Sequence, residues 1–251
     1  MKIQAFYFVM LAIPVASLAQ TDTLQTLVGL SAESSQLSNG SPGWHSETLR
    51  VARKSSPRDV RELGFTQTRR FGLNDKQISG LYVTPLSGQA TLSLGGRISP
   101  SHRVLARHEL ESTLQYEFAP AWLVHAGLGN RRYSTANINS ASLALEHYFS
   151  SFSLSAAWRP VRALGANASS TELRGAYYYG NASSIGLIAS SGQEASTVNP
   201  NTVLLVDVRS TALLGRHSLS RQWAFSYALS RTWQGGFYRQ DTVHLGAEYI
   251  F

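Results

Sequence analysis

The sequence predicts an all-β fold, a transmembrane antiparallel up-and-down β-barrel of about 14 strands, with 12 as the fallback and both termini periplasmic. Three features predict it: an export leader with no apolar helix after it, side-chain alternation with a period of two, and connections that alternate short and long. Composition agrees. The 251 residues suit one domain, and 15% charged residues is low against the ~25% of soluble domains. The chain has no cysteine, which excludes disulfides, thiolate metal sites and thiol chemistry. A net charge of +7, carried mostly by Arg, points to an anionic partner.

The leader comes first. Lys2 supplies a basic start, Phe6 to Ala19 form an apolar run, and Ser17-Leu18-Ala19 puts small residues ahead of Gln20. This is the pattern of a cleaved signal over residues 1–19, leaving a barrel domain over 20–251. The run is shorter than the ~20 residues of a spanning helix, and Pro14 interrupts it. Export weighs against a nucleic-acid partner for the basic charge. No later stretch has the length of a membrane helix, so the expected destination is the outer membrane of a Gram-negative envelope.

Fourteen alternating segments follow: 24–33, 45–54, 60–71, 76–85, 89–98, 109–118, 122–132, 138–149, 152–160, 171–180, 184–192, 202–214, 222–233 and 242–251. Each is close to the ~9–11 residues of a tilted transmembrane strand. Links after even strands are short, as at residues 86–88 and 150–151; most after odd strands are longer, as at 34–44, 99–108, 161–170, 193–201 and 234–241. Short periplasmic turns and long outer loops give that rhythm. Two links fit poorly, 72–75 being short for an outer loop and 215–221 long for a turn.

Parity sorts the faces, because charge on the lipid side is costly near the midplane. In the sixth segment Leu110, Leu114, Tyr116 and Phe118 face lipid, while Glu109, Glu111, Gln115 and Glu117 face the lumen. The ninth turns Phe152, Leu154, Ala156 and Trp158 outward and Arg159 inward, and the last turns His244 and Glu248 inward. The expected lumen network is Glu62, Arg70, Arg97, Glu111, Glu117, Arg131, Glu146, Arg159, Glu172, Arg174, Asp207, Arg209 and Glu248, with Glu109, Arg50 and Lys54 beside them. Its eight acidic and eight basic groups nearly cancel, which suits a paired network in a narrow or partly plugged lumen. Aromatic residues fall in two bands: Phe118, Trp122, Phe149, Phe152, Tyr179, Trp223, Tyr249 and Phe251 at the periplasmic interface, and Phe71, Trp158 and Trp233 at the outer one.

With that pattern laid out, the chain resembles the YaiO-like family of outer-membrane β-barrel proteins from about Leu30 to Phe251. The resemblance rests on the first strand with Gly40 and Trp44, on Arg70-Phe71-Gly72 followed by Asp75, and on Gly95-Gly96-Arg97. Arg132-Tyr133 and the closing Gly246-Ala247-Glu248-Tyr249-Ile250-Phe251 complete it. It implies location and fold, and transfers no active site.

Catalysis is not expected. His147 has lipid-facing parity, His125 faces the lumen without a local acidic partner, and His244 and Glu248 stand roughly 13 Å apart along their strand. The alternative is a lipid or lipopolysaccharide hydrolase whose site is assembled across strands. No metal-ligand spacing occurs, and no cofactor is implied. Arg103, Arg107, Arg132, Arg162 and Arg239 are expected in outer loops, where guanidinium forks suit lipopolysaccharide phosphates. Tyr249 and Phe251 resemble the terminal signal that the barrel-assembly machinery reads. Deleting Phe251 should leave unfolded protein that is degraded, and a normal yield of heat-modifiable outer-membrane barrel would contradict this.

Overall fold

The computed structural model describes residues 24–180, 182–199 and 202–251, so the expected leader lies outside the described residues. The strands are β1 Gln25–Leu37, β2 Trp44–Ser56, β3 Asp59–Arg70, β4 Leu73–Pro85, β5 Ala90–Ile98, β6 His108–Ala119 and β7 Trp122–Arg132. They continue as β8 Asn137–Phe149, β9 Phe152–Ala163, β10 Ala166–Tyr179, β11 Ser183–Asn199, β12 Thr202–Ser218, β13 Trp223–Gln234 and β14 Tyr238–Ile250. Each pairs antiparallel with its sequence neighbours, and β14 closes on β1 from Leu27↔Ile250 to Leu37↔Gln240. The barrel has 14 strands, not 12.

The alternation read from sequence is the alternation of exposure. On β6 Leu110, Leu114, Tyr116 and Phe118 are exposed on the outer wall, while Glu109 is buried on the inner one. On β9 Leu154 and Trp158 are exposed and Ser153 is buried. The inner wall is polar, with hydroxyl pairs across neighbouring strands: Ser46 with Thr68 at 3.1 Å, Thr48 with Thr66 at 2.9 Å, and Ser210 with Thr232 at 3.0 Å.

At the end that carries the termini, the β2–β3 and β4–β5 turns are bound together. The Arg58 guanidinium donates to the carbonyls of Ser87 and Ala90, each at 2.6 Å, and its Nε donates to Thr91 Oγ1 at 2.6 Å. Outward rings form a ladder around this end, through Phe118–Trp122 (6.4 Å), Trp122–His147 (4.0 Å), His147–Phe149 (5.8 Å) and Phe149–Phe152 (5.8 Å). Phe152–Tyr177 (4.9 Å) and Tyr177–Tyr179 (5.6 Å) extend it.

The opposite end, termed the loop end, departs from expectation. The expected loops at 161–170 and 234–241 shrink to residues 164–165 and 235–237, and β11 and β12 take up most of 193–201. At the terminal end the expected turn at 215–221 also shortens, because β12 runs to Ser218. The cause is that a strand ladder continues past the lipid boundary, where both faces are polar and hydrophobic alternation ceases. The short β3–β4 link is a two-residue turn, with Phe71 at φ 51° and Gly72 at φ 77°, the left-handed pair that a tight hairpin favours. Phe71, expected in the outer aromatic band, instead packs edge-on against buried Trp44 at 5.3 Å.

A charge on the outer wall should therefore be far costlier than one on the inner wall. Leu114→Arg should sharply lower the yield of folded barrel, by about 2–4 kcal/mol at the midplane. Gln115→Arg, one residue away on the inner face, should be milder. Equal losses in a urea refolding titration would contradict this register.

Candidate functional site

The inner wall holds most of the sequence-predicted charges, gathered into discrete clusters. On β5 to β7, Arg97 meets Glu109 at 3.5 Å, and Arg131 meets Glu109 at 3.6 Å and Glu111 at 3.2 Å. On β9 and β10, Glu172 takes Arg159 at 2.9 Å and Arg174 at 3.7 Å. A third cluster centres on Glu248 of β14, which receives Arg50 at one oxygen and Arg216 at the other, the latter at 2.9 Å. Arg50 also reaches Glu62 at 3.4 Å.

Small residues make the third cluster possible. Arg50, Gly29 and Glu248 are register partners across β2, β1 and β14, so the guanidinium must cross β1 to reach the carboxylate. A Cβ at Gly29 would lie 2.8 Å from Arg50 Nε. On the other side, Arg216 of β12 crosses β13, where Ala224 pairs with Glu248. Glycine acts here as clearance for the long Arg50 side chain.

The remaining predicted lumen residues have other partners. Glu117 accepts the Ala121 N–H at 3.1 Å and caps the β6–β7 turn. Arg70 is buried over the Trp44 ring at 5.3 Å. Lys54 lies on the inner face near the terminal end. Glu146 is buried and receives His125 Nε2 at 2.9 Å, correcting the expectation that His125 has no acidic partner. The partner comes from β8, where a search along one strand could not find it. Two residues are misplaced by sequence parity. Asp207 and Arg209 are exposed on the outer wall, while Val206, Val208 and Ser210 take the buried positions between them. They stand near the loop-end margin, where charge on the outer face costs little, so the lipid-cost argument does not apply to them.

Sequence reasoning missed several inner-wall groups. Arg216 was assigned to a turn and Glu194 to a loop, and both belong to extended strands. Glu33 pairs in register with His244 and Ser46 on the inner face. The most consequential omission is Asp75 of β4, whose side chain is fully buried. Its Oδ1 accepts the Arg103 N–H at 3.0 Å, and its Oδ2 accepts those of Val104 and Leu105 at 2.7 and 2.8 Å. The β5–β6 loop is thereby drawn inward over the lumen, and Val104, Leu105 and Ala106 are buried. Ala106 joins an apolar cluster with Tyr133, Ala136, Ile138, Ala163 and Val203. Across the mouth, Trp44, Leu37 and Tyr238 form a second cluster, with Phe71 packed against it. The loop end is narrowed from both sides.

Of the Arg residues expected in loops, Arg103 and Arg107 are in the β5–β6 connection. Arg132, Arg162 and Arg239 are instead exposed on β7, β9 and β14, because those strands outrun the bilayer. Tyr249 and Phe251 lie at the terminal end with rings 4.7 Å apart, and the Phe251 N–H donates to Thr26 O at 2.9 Å. His125 hydrogen-bonds Glu146 and, among the described residues, no hydroxyl.

Comparisons with known proteins agree with this architecture. A family model described as the YaiO membrane beta barrel domain matches residues 25–197. No curated protein matches the chain. Among solved structures, the CymD monoaromatic hydrocarbon channel superposes with a TM-score of 0.58 at 10% identity, over 92% of this chain and 88% of that one. An outer-membrane channel from Pseudomonas putida F1 gives 0.57 at 11% identity, over 92% and 96%. The KdgM porin gives 0.52 at 10%, over 89% and 99%. At such identities the likeness is one of fold.

Glu248→Gln removes the shared carboxylate from two guanidinium groups, and unpairing a buried charge costs about 3–5 kcal/mol. It should lower the unfolding midpoint much more than Glu117→Gln, which alters only a turn cap. Similar midpoints for the two variants would count against a structural role for the cluster.

Proposed function

The chain belongs to the YaiO membrane β-barrel family, and on that premise we propose that this outer-membrane barrel is a narrow, partly plugged channel for small polar solutes. The carrying observation is the β5–β6 loop, held over a polar lumen by the Asp75 carboxylate. Away from the apolar clusters at the mouth, the inner wall is lined by paired charges and hydroxyl groups, which suits passage of small polar solutes. Paired lumen charges hold the wall in shape and filter small solutes at most. The protein carries no catalytic site on this reading, and the channels it resembles in fold accord with that.

The terminal end is periplasmic and the loop end external. Tyr249 and Phe251 then stand where the assembly machinery reads a barrel, and residues 1–19 act as the export signal. Arg103, Arg107, Arg132, Arg162 and Arg239 face the lipopolysaccharide layer. The outward aromatic ladder supports placing the terminal end at a membrane interface, and the nine-residue β5–β6 connection at the other end suits an external loop.

Planar-bilayer conductance with solutes of graded size tests the reading. Each charge-assisted bond from a backbone N–H to Asp75 is worth about 1.5–3 kcal/mol. Asp75→Ala should therefore release the loop, raising single-channel conductance and the size limit for polar solutes. A folded Asp75→Ala variant with parental conductance would overturn the plug, and turnover of lipid by purified protein would favour the hydrolase instead.

A further inference from the structure

The outer wall carries a second charge pattern, distinct from the lumen. Toward the loop end Arg69, Lys76, Arg132, Arg162, Arg209, Arg231 and Arg239 are all exposed, against the acidic Glu47, Asp207 and Asp241. The parity of each strand turns these side chains outward, away from the lumen network. Cations held on the wall of a membrane barrel are tolerated near the interface, where they meet headgroups.

The densest part of this belt lies across β12, β13 and β14. Arg209, Trp233 and Arg239 are partners in one register row, and Arg231 sits two residues from Trp233 on the same outward face. Adjacent strands are about 4.8 Å apart, so the backbones of Arg209 and Arg239 are separated by about 10 Å. Asp241 organises two of the three guanidinium groups, accepting Arg231 Nε at 2.5 Å and Arg239 Nε at 3.2 Å. Its single charge leaves one of those cations uncompensated. Arg209 makes no ion pair with a described residue within 4.0 Å, and Asp207 is the nearest acidic residue along its own strand. Trp233, with 42% of its surface exposed, separates Arg209 from Arg239 at the boundary with the apolar wall formed by Leu229, Val243 and Leu245.

We propose that this patch binds a phosphate group of outer-leaflet lipopolysaccharide, with Arg209, Arg231 and Arg239 as donors and Trp233 packed beside the lipid. Guanidinium forks match phosphate oxygens in pairs, and the aromatic ring at the apolar margin suits a ligand that is anionic above and acyl below. The site is separate from the channel. It rests on the reading of the loop end as external.

Native mass spectrometry of the folded protein in detergent tests binding, with bisphosphorylated lipid A, dephosphorylated lipid A and phosphatidylglycerol as probes. The parent should retain bisphosphorylated lipid A, and Arg209→Gln with Arg239→Gln should lose it severalfold. Arg209→Lys with Arg239→Lys should keep part of it. Arg53→Gln with Arg61→Gln, outward at the other end of the barrel, should leave retention unchanged. The site is overturned if the Gln pair retains lipid A like the parent, or if dephosphorylated lipid A or phosphatidylglycerol is held equally well. Orientation is read separately. The chain has no cysteine, so Gly236→Cys in the open β13–β14 turn should be the sole thiol and should react with an impermeant maleimide on intact cells. Absence of labelling would overturn the external placement and the lipopolysaccharide assignment, without bearing on conductance.

Discussion

Closure of β14 onto β1 is the constraint on which everything else depends. Hydrocarbon offers no partner to an unpaired backbone N–H or C=O, so an open edge within the bilayer would cost several kcal/mol per group. Once the ladder is closed, a period of two gives each strand one wall facing lipid and one facing the lumen. The same geometry that satisfies the backbone thus produces a polar cavity, and the cavity must then accommodate its charges.

Most of those charges find partners on other strands, with Arg174 and Glu172 pairing along β10. Glu248 binds guanidinium groups from β2 and β12, each reaching over an intervening strand. For Arg50 the crossing requires a low floor, which Gly29 provides. A larger residue at Gly29 would leave both charges in the lumen and part Arg50 from Glu248. Small inner-wall residues therefore matter to the electrostatics as much as the charged ones do.

The mouth is shaped by the same economy of polar groups. A nine-residue connection after β5, residues 99–107, has backbone donors that no strand ladder satisfies. Asp75 takes three of them with one carboxylate, and Ala106 of the loop is then buried with Tyr133 and Ile138. Backbone satisfaction and apolar burial favour the same inward position. Outside the barrel, Asp241 does something related, holding two arginines side by side on the outer wall toward the loop end.

Consecutive residues alone were enough to indicate a barrel of about 14 strands and which residues of most strands face lipid. Those features follow from local rules: alternation is written into consecutive residues, and charge on the lipid face is costly whatever its neighbours. Leu114 and Glu111 could be assigned from β6 alone. Parity, however, names a wall and not a height, so Asp207 and Arg209 were turned inward although they stand at the margin, where an outward charge is cheap. Strand ends were blurred for the same reason, since the ladder outlasts the hydrophobic signal beyond the bilayer. The assembled barrel was needed for the contacts of His125 with Glu146, of Arg50 and Arg216 with Glu248, and of the β5–β6 loop with Asp75. Each joins groups on different strands, and register across strands is fixed by turn geometry and closure, which no single segment records.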